Sequence, residues 1–451
     1  MARRQETKSQ SGLDTTERSL IEALRRGVPW DQSFRDRFQS DLGASDAQTA
    51  SDASGQNKGG TPPRKTEIDA DLLRALIVVE GAAARGIAPP VREAEICRKA
   101  DLDPTIQLNV RGIEIESTGD DDPIVIRCRQ FVGTTPVFDL RGVCFPKRLA
   151  LQGCVFEGPE GEPANLLLDD AQIGTIDLSR AHFQDLSGVQ LCLTGDLRGV
   201  SMKARSINLS DAVIGGDLDC EGSEFTRRDG IALHCNGAHI SRCALLHDGF
   251  KAEGEVNLMG ARIGGQLTCD GGQFTAGETG PALECSGAQI ADSVFLRDGF
   301  KAEGEVNFVT ARIGGSFECH GGQFTAGETG PALHCNDIQI DKGVFLRDGF
   351  KAEGEVKFAG ARIGGLLDCS GGQFTAGEAG PALECNSAQV HRSVHLTYGF
   401  KAGGEVNFGG ARIGGQLVCG GGQFTAGETG PALECNGAQI DESVFLSDGF
   451  K

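Results

Sequence analysis

The chain has 451 residues and a formal net charge of −20, with 66 Gly, 24 Phe, 16 Cys and a single Trp. No apolar run reaches the ~18 residues of a membrane span, and the N-terminus, MARRQETKSQSGLDTTERS, has positive charge with no apolar stretch behind it, unlike a secretory signal. Residues 1–105 hold 17 acids and 16 bases, so −19 of the net charge falls on residues 106–451, and this argues against nucleic acid as a direct ligand because phosphate binding needs a basic face.

Residues 1–40 predict one or two short helices. In TTERSLIEALRRG, Thr15 or Thr16 is the N-cap, Arg25 and Arg26 come late, and Gly27 is the stop. Residues 41–65 contain almost no large apolar side chains and predict a disordered linker. Residues 66–105 predict a helical cap. Thr66 with Asp69 forms a capping-box variant, Leu72, Leu73, Leu76, Ile77 and Val79 make an apolar face, and PPVREAEICRKADLD starts another helix with proline in its first turn. Such a cap covers the open edge of a stacked repeat.

From Ile106 to the end, residues 106–451, the grammar is that of strands: IQLNVRGIEI and VFDLRGVCF alternate apolar and polar residues between glycine turns. A 50-residue period then dominates, and it is a duplicated pair. VNLMGARIGGQLTCDGGQF, from Val256, aligns with LECSGAQIADSVFLRDGF, from Leu283, with one residue of slippage needed to match Phe274 to Phe300. The halves are 27 and 23 residues long, so the unit is a coil of ~25 residues. Large inward residues recur five apart, as at Leu178 and Phe183 or Leu258 and Ile263, with a small residue before many of them. Five-residue sides, about four per turn, predict a square-sectioned β-solenoid.

This A-x-[LIF]-x-x rhythm resembles the pentapeptide-repeat superfamily over residues 106–451, most strictly at IDLSRAHF and in parts of INLSDAVI; later copies add a residue between Ile263 and Cys269 and the loop TAGETGP. The resemblance implies a mainly β fold, a right-handed quadrilateral β-helix, here beneath an N-terminal α-helical cap. IDADLLRALIVV followed by LNVRGIEI is also similar to long bacterial proteins often labelled membrane-associated oxidoreductases. Some pentapeptide-repeat proteins mimic DNA and bind type II topoisomerases through an acidic face, which makes that an alternative function.

The cysteines fall into two inward columns. One runs Leu258, Cys285, Phe308, Cys335, Phe358, Cys385, Phe408, Cys435; the other runs Cys269, Leu296, Cys319, Leu346, Cys369, Leu396, Cys419, Leu446. Same-column cysteines two coils apart stand ~9.6 Å from each other at the strand spacing, beyond the ~7 Å reach of a disulfide. They read as small core fillers alternating with large residues. No C-x-x-C occurs, and His320 and His334 adjoin cysteines that point to the opposite side of their strand, so no metal site is expected.

No dinucleotide fingerprint, P-loop, H-E-x-x-H or G-x-S-x-G motif is present, and the glycines of GARIGG precede a strand instead of a helix. No cofactor is expected. Two surface ladders are the candidate sites. Glu253 with Glu255, Glu303 with Glu305, and Glu353 with Glu355 form an acidic ladder beside Lys251, Lys301 and Lys351. Stacked like charges would raise some of these carboxylate pKa values. Arg262, Arg312, Arg362 and Arg412 form a second ladder, able to pair with those acids or to bind a repeating polyanion. The reading is a non-catalytic scaffold for a protein partner, cytoplasmic by default with peripheral membrane association left open. The alternatives are the DNA mimic and an enzyme, either redox or carbohydrate-active by analogy with other β-helices. The chain stops at LSDGFK, matching Phe400 and Lys401 in mid-array, which predicts an open apolar coil through Val444, Leu446 and Phe450, left either by truncation of the chain or as an edge for end-to-end pairing of two chains.

Overall fold

The computed structural model describes residues 15–26, 28, 30–46, 66–99, 112–117, 124–278, 280–327, 330–376, 380–426, 430–447 and 449–451. Two compact units divide at Ser187 and Gly188.

In the first unit four helices accompany the strands: α1 (Thr15–Arg26), α2 (Gln32–Asp46), α3 (Ala70–Ala84) and α4 (Val91–Lys99). The helix α2 runs past residue 40, and residues 47–65 of the expected linker lie outside the described residues. Thr66 does not cap a helix. Thr66–Asp69 is a strand, parallel to Ile124–Arg127, and Asp69 is the N-cap of α3, accepting from the backbone N–H groups of Asp71 at 2.8 Å and Leu72 at 3.4 Å. The strand wins because Ile68 is buried against its neighbours while the ladder satisfies backbone groups that a helix start would leave unpaired.

That strand and Trp30 cover sheet edges that the helices were expected to cover alone. The backbone of Trp30 bridges Gly112–Glu116, donating to the Glu114 carbonyl at 3.0 Å and accepting from the Glu116 N–H at 3.3 Å. Its indole is fully buried and donates to Ser19 Oγ at 2.9 Å. α3 lies directly on the strand Cys144–Gln152: a Cβ at Gly81 would stand 2.1 Å from the Cys144 carbonyl oxygen, so only glycine fits. Arg74 of α3 donates to the Asp139 carbonyl at 2.7 Å and pairs with Glu93 of α4, while Lys147 pairs with Glu80. No helix among the described residues is long and apolar enough to cross a membrane.

The second unit is a four-sided parallel β-solenoid of about 26 residues per coil. Each side is a strand of two to four residues. Strands such as Arg262–Ile263 stack into face one, Leu267–Thr268 into face two, Gln273–Thr275 into face three and Leu283–Glu284 into face four, and each pairs with its counterpart in the next coil. Both predicted cysteine columns are buried in the lumen as far as Cys419, while in the final coil Cys435 is half-buried and Leu446 exposed, and every described cysteine is a free thiol. Burial raises the pKa of thiols in the lumen: Cys235 is pushed up to about 12, and Cys269, Cys319 and Cys369 rise well above the ordinary range for the same reason.

The phenylalanine match differs from the expected one-residue slip. Phe274 pairs in register with Ala302, two positions after Phe300. The ring of Phe300 comes from the preceding turn and fills the space that Ala302 leaves. One ring per coil follows from this alternation, and Phe250, Phe274, Phe300, Phe324, Phe350, Phe374, Phe400, Phe424 and Phe450 form a lumen stack with successive centroids 5.1 to 5.3 Å apart. In the last coil Val444, Phe445 and Leu446 are exposed.

Candidate functional site

Face one carries the arginine ladder. Its first strand position reads His239, Arg262, Gln289, Arg312, Gln339, Arg362, Gln389, Arg412, Gln439 in successive coils. Isoleucine or valine follows at each place and is buried from Ile240 to Ile413, which drives the arginine or glutamine outward by strand alternation. All four ladder arginines are exposed, and while their backbone N–H groups join the strand ladder, none of their guanidinium groups has a hydrogen-bond or ion-pair partner among the described residues.

The next position is glycine in every arginine coil: Gly264, Gly314, Gly364 and Gly414. A Cβ there would stand 2.3 Å from the carbonyl oxygens of Ser241, Ala291 and Asp341, and 2.4 Å from that of His391. Close stacking of one coil on the last therefore demands glycine, and the missing side chains leave a trough beside the arginines. The trough is a groove of about 400 Å³ bordered by Arg262 and Arg312, continued by one of about 670 Å³ bordered by Arg362 and Arg412. Glutamine coils fill the same position with Ala291, Asp341, His391 and Asp441, and Asp341 and Asp441 are the acids that line the trough.

The glutamates do not form one ladder of pairs. Gly254, Gly304 and Gly354, at φ 127°, 124° and 125°, stand between the two members and turn the chain around a corner. Glu253, Glu303 and Glu353 lie on face three, in register with Thr275, Thr325 and Thr375. The partners Glu255, Glu305 and Glu355 lie at the start of face four. A Cβ at Gly280 or Gly330 would fall within 2.4 Å of Glu255 Oε2 or 2.8 Å of Glu305 Oε2, so these carboxylates sit beneath the Gly-Pro loops. Their bonds are local: Glu255 accepts from Asn257 Nδ2 at 2.6 Å, Glu305 meets His334 Nδ1 at 2.9 Å, and Glu355 meets Lys357 Nζ at 2.6 Å.

Charge effects follow those contacts. Burial raises the Glu255 pKa, with Glu284 of the next coil adding to the rise and the Asn257 bond opposing it. The like-charge neighbour is thus Glu284, not another member of the expected ladder. Glu253 is held below the usual range by its 2.6 Å bond to Arg228. The ladder arginines and the glutamates do not pair; they occupy different sides of the coil.

Face three carries its own alternation of cation and amide: Lys251, Gln273, Lys301, Gln323, Lys351, Gln373, Lys401 and Gln423. The Glu–Thr row runs two residues along the same strands, so positive and negative rows lie side by side. Among the described residues no group of three His, Cys, Asp or Glu side chains is placed to hold a metal ion.

The glutamine row of face one is a feature that the sequence reading did not single out, although its signal was present. Once Ile263 is aligned with Ile290, the residues before them, Arg262 and Gln289, must share a row. No family model, curated protein or solved structure matches the chain.

Proposed function

We propose that the chain is a non-catalytic binding scaffold and that face one is its working surface, receiving an extended anionic chain. The observation that carries this reading is the row of four exposed, unpartnered arginines along a continuous trough. An exposed guanidinium offers five donors in a planar fork suited to carboxylates. Elsewhere in the same unit, arginines already hold acids: Arg297 meets Asp270 at 3.0 Å and Glu318 at 2.9 Å, and Arg228 meets Glu253. A DNA-mimicking face finds less support, because the Glu row of face three runs beside a Lys row. The four-sided coil, with one large inward residue per side, supports kinship with pentapeptide-repeat proteins.

Titration of a random copolymer of glutamate and alanine, whose carboxylates are spaced apart, tests the function at low salt. Binding is expected to weaken stepwise as Arg262, Arg312, Arg362 and Arg412 are replaced singly, in pairs and together by alanine, since each removes one equivalent contact. A chain with all four replaced that binds as well as the parent would overturn the assignment of face one. Collapse on replacing a single arginine would point to one unique centre instead of a row.

A further inference from the structure

Resting on that reading of face one, we infer the conformation of the ligand: an acidic peptide in the polyproline II conformation, with one carboxylate at every third residue. The argument begins with spacing. Arginines alternate with glutamines, so cations recur every second coil, ~9.6 Å at the strand spacing. A polyproline II chain has three residues per turn at ~3.1 Å each, so residues i, i+3 and i+6 share one side at ~9.3 Å intervals. From Arg262 to Arg412 the row advances six coils, and over that length the two periods drift apart by only ~1 Å. Flexible arginine stems absorb such a difference. A β-strand laid along the groove repeats its same-side residues every ~6.6 Å and loses register at once.

The groove also selects against continuous charge. Asp341 lines it between Arg312 and Arg362, on the coil of Gln339. A nucleic acid backbone, with one charge per ~3.4 Å along each strand, places an anion opposite this carboxylate. A chain charged only at the arginine coils does not. The overall net charge of −20 adds to the penalty for a densely charged ligand.

The glutamines supply the remaining recognition. A polyproline II backbone makes no internal hydrogen bonds, so its carbonyls remain available. Gln289, Gln339 and Gln389 stand between successive arginines as amide donors at the level of those carbonyls. No Phe, Tyr or Trp borders either groove among the described residues, so there is no platform for stacking nucleic acid bases or sugar rings.

The test uses the full chain and fluorescence anisotropy with labelled (Glu-Pro-Pro)4. Its comparator, (Glu-Pro-Pro-Pro)4, carries the same number of charges but breaks the three-residue register. The first peptide is expected to bind at least about tenfold more tightly. Arg312→Ala with Arg362→Ala should weaken it by more than about tenfold, while the matched pair Lys301→Ala with Lys351→Ala on face three leaves it unchanged. A uronic acid oligosaccharide and a single-stranded oligonucleotide complete the set. Equal binding of the two peptides, or tighter binding of either other polymer through the same arginines, would overturn the peptide assignment and leave face one as a binding surface. Absence of arginine-dependent binding by all four ligands would overturn both.

Discussion

Faces one and three are built from the same alternation, a cation in one coil and a glutamine in the next, yet they offer different surfaces. On face three the residue two places beyond the lysine is Glu253, Glu303 or Glu353 in three coils and Gly403 in the fourth, so the positive row has a negative row beside it as far as Glu353. On face one the residue two places beyond the arginine is glycine, and the cations border bare backbone. Periodic charge alone is therefore not a binding site. What sets face one apart is a packing constraint that removes the neighbouring side chain on each arginine's own coil; the acids that line the trough, Asp341 and Asp441, stand on the glutamine coils and form no ion pair with a ladder arginine.

The sharpest way to break this comparison is to reverse the inside and the outside of face three. Phe324 is 1% exposed, and its neighbour Thr325 faces solvent. Phe324→Asp removes a ring from the lumen stack and buries an unpaired charge, and is expected to cost about 4 kcal/mol or more in denaturant unfolding. Thr325→Asp should change stability by less than about 0.5 kcal/mol. Equal damage at the two positions would mean that the inward row is wrongly assigned.

A second pair of variants compares the glycines. Gly314→Ala on face one places a Cβ 2.3 Å from the Ala291 carbonyl oxygen, a backbone atom that cannot swing aside. The expected cost is about 1–3 kcal/mol. Gly403→Ala on face three meets its nearest atom, the Phe374 carbonyl oxygen, only at 3.9 Å, and should be neutral or slightly stabilising. If Gly314→Ala were equally silent, the trough would be an accident of composition and not a consequence of coil stacking.

The lumen behind both faces gives the third test. Its buried thiols have pKa values raised above the unfolded value, so above about pH 8.5 the unfolded chain loses protons that the folded chain retains. Stability is then full below that pH and falls as pH rises, by up to about 1.4 kcal/mol per pH unit for each thiol. Cys319→Val removes one such thiol at similar volume and should flatten the alkaline slope of the melting temperature by that one increment. An unchanged slope would show that Cys319 ionises in the folded state. Thiol titration should likewise show little reaction of the buried cysteines in native buffer and nearly complete reaction in denaturant, with or without reductant.

The sequence by itself determined the inside of the solenoid. Hydrophobic sorting is local and periodic, so the five-residue rhythm and the alternation of cysteine with phenylalanine or leucine sufficed to place Cys269, Cys285, Cys319 and Phe308 in the lumen and to rule out disulfides by spacing. Tertiary structure decided the corners, and with them everything outside. The turn at Gly254 separates Glu253 from Glu255, although two residues apart on one strand they would share a side. Phe300 reaches the Phe274 stack from the turn before its strand, which a linear alignment renders as a slip. Thr66 became a strand residue because Ile124–Arg127, distant in sequence, offered it a ladder. The arginine row was legible as a period, but its isolation was not. That depends on which backbone atoms lie under Gly264, Gly314, Gly364 and Gly414, a matter of one coil resting on another, and no single coil contains the information.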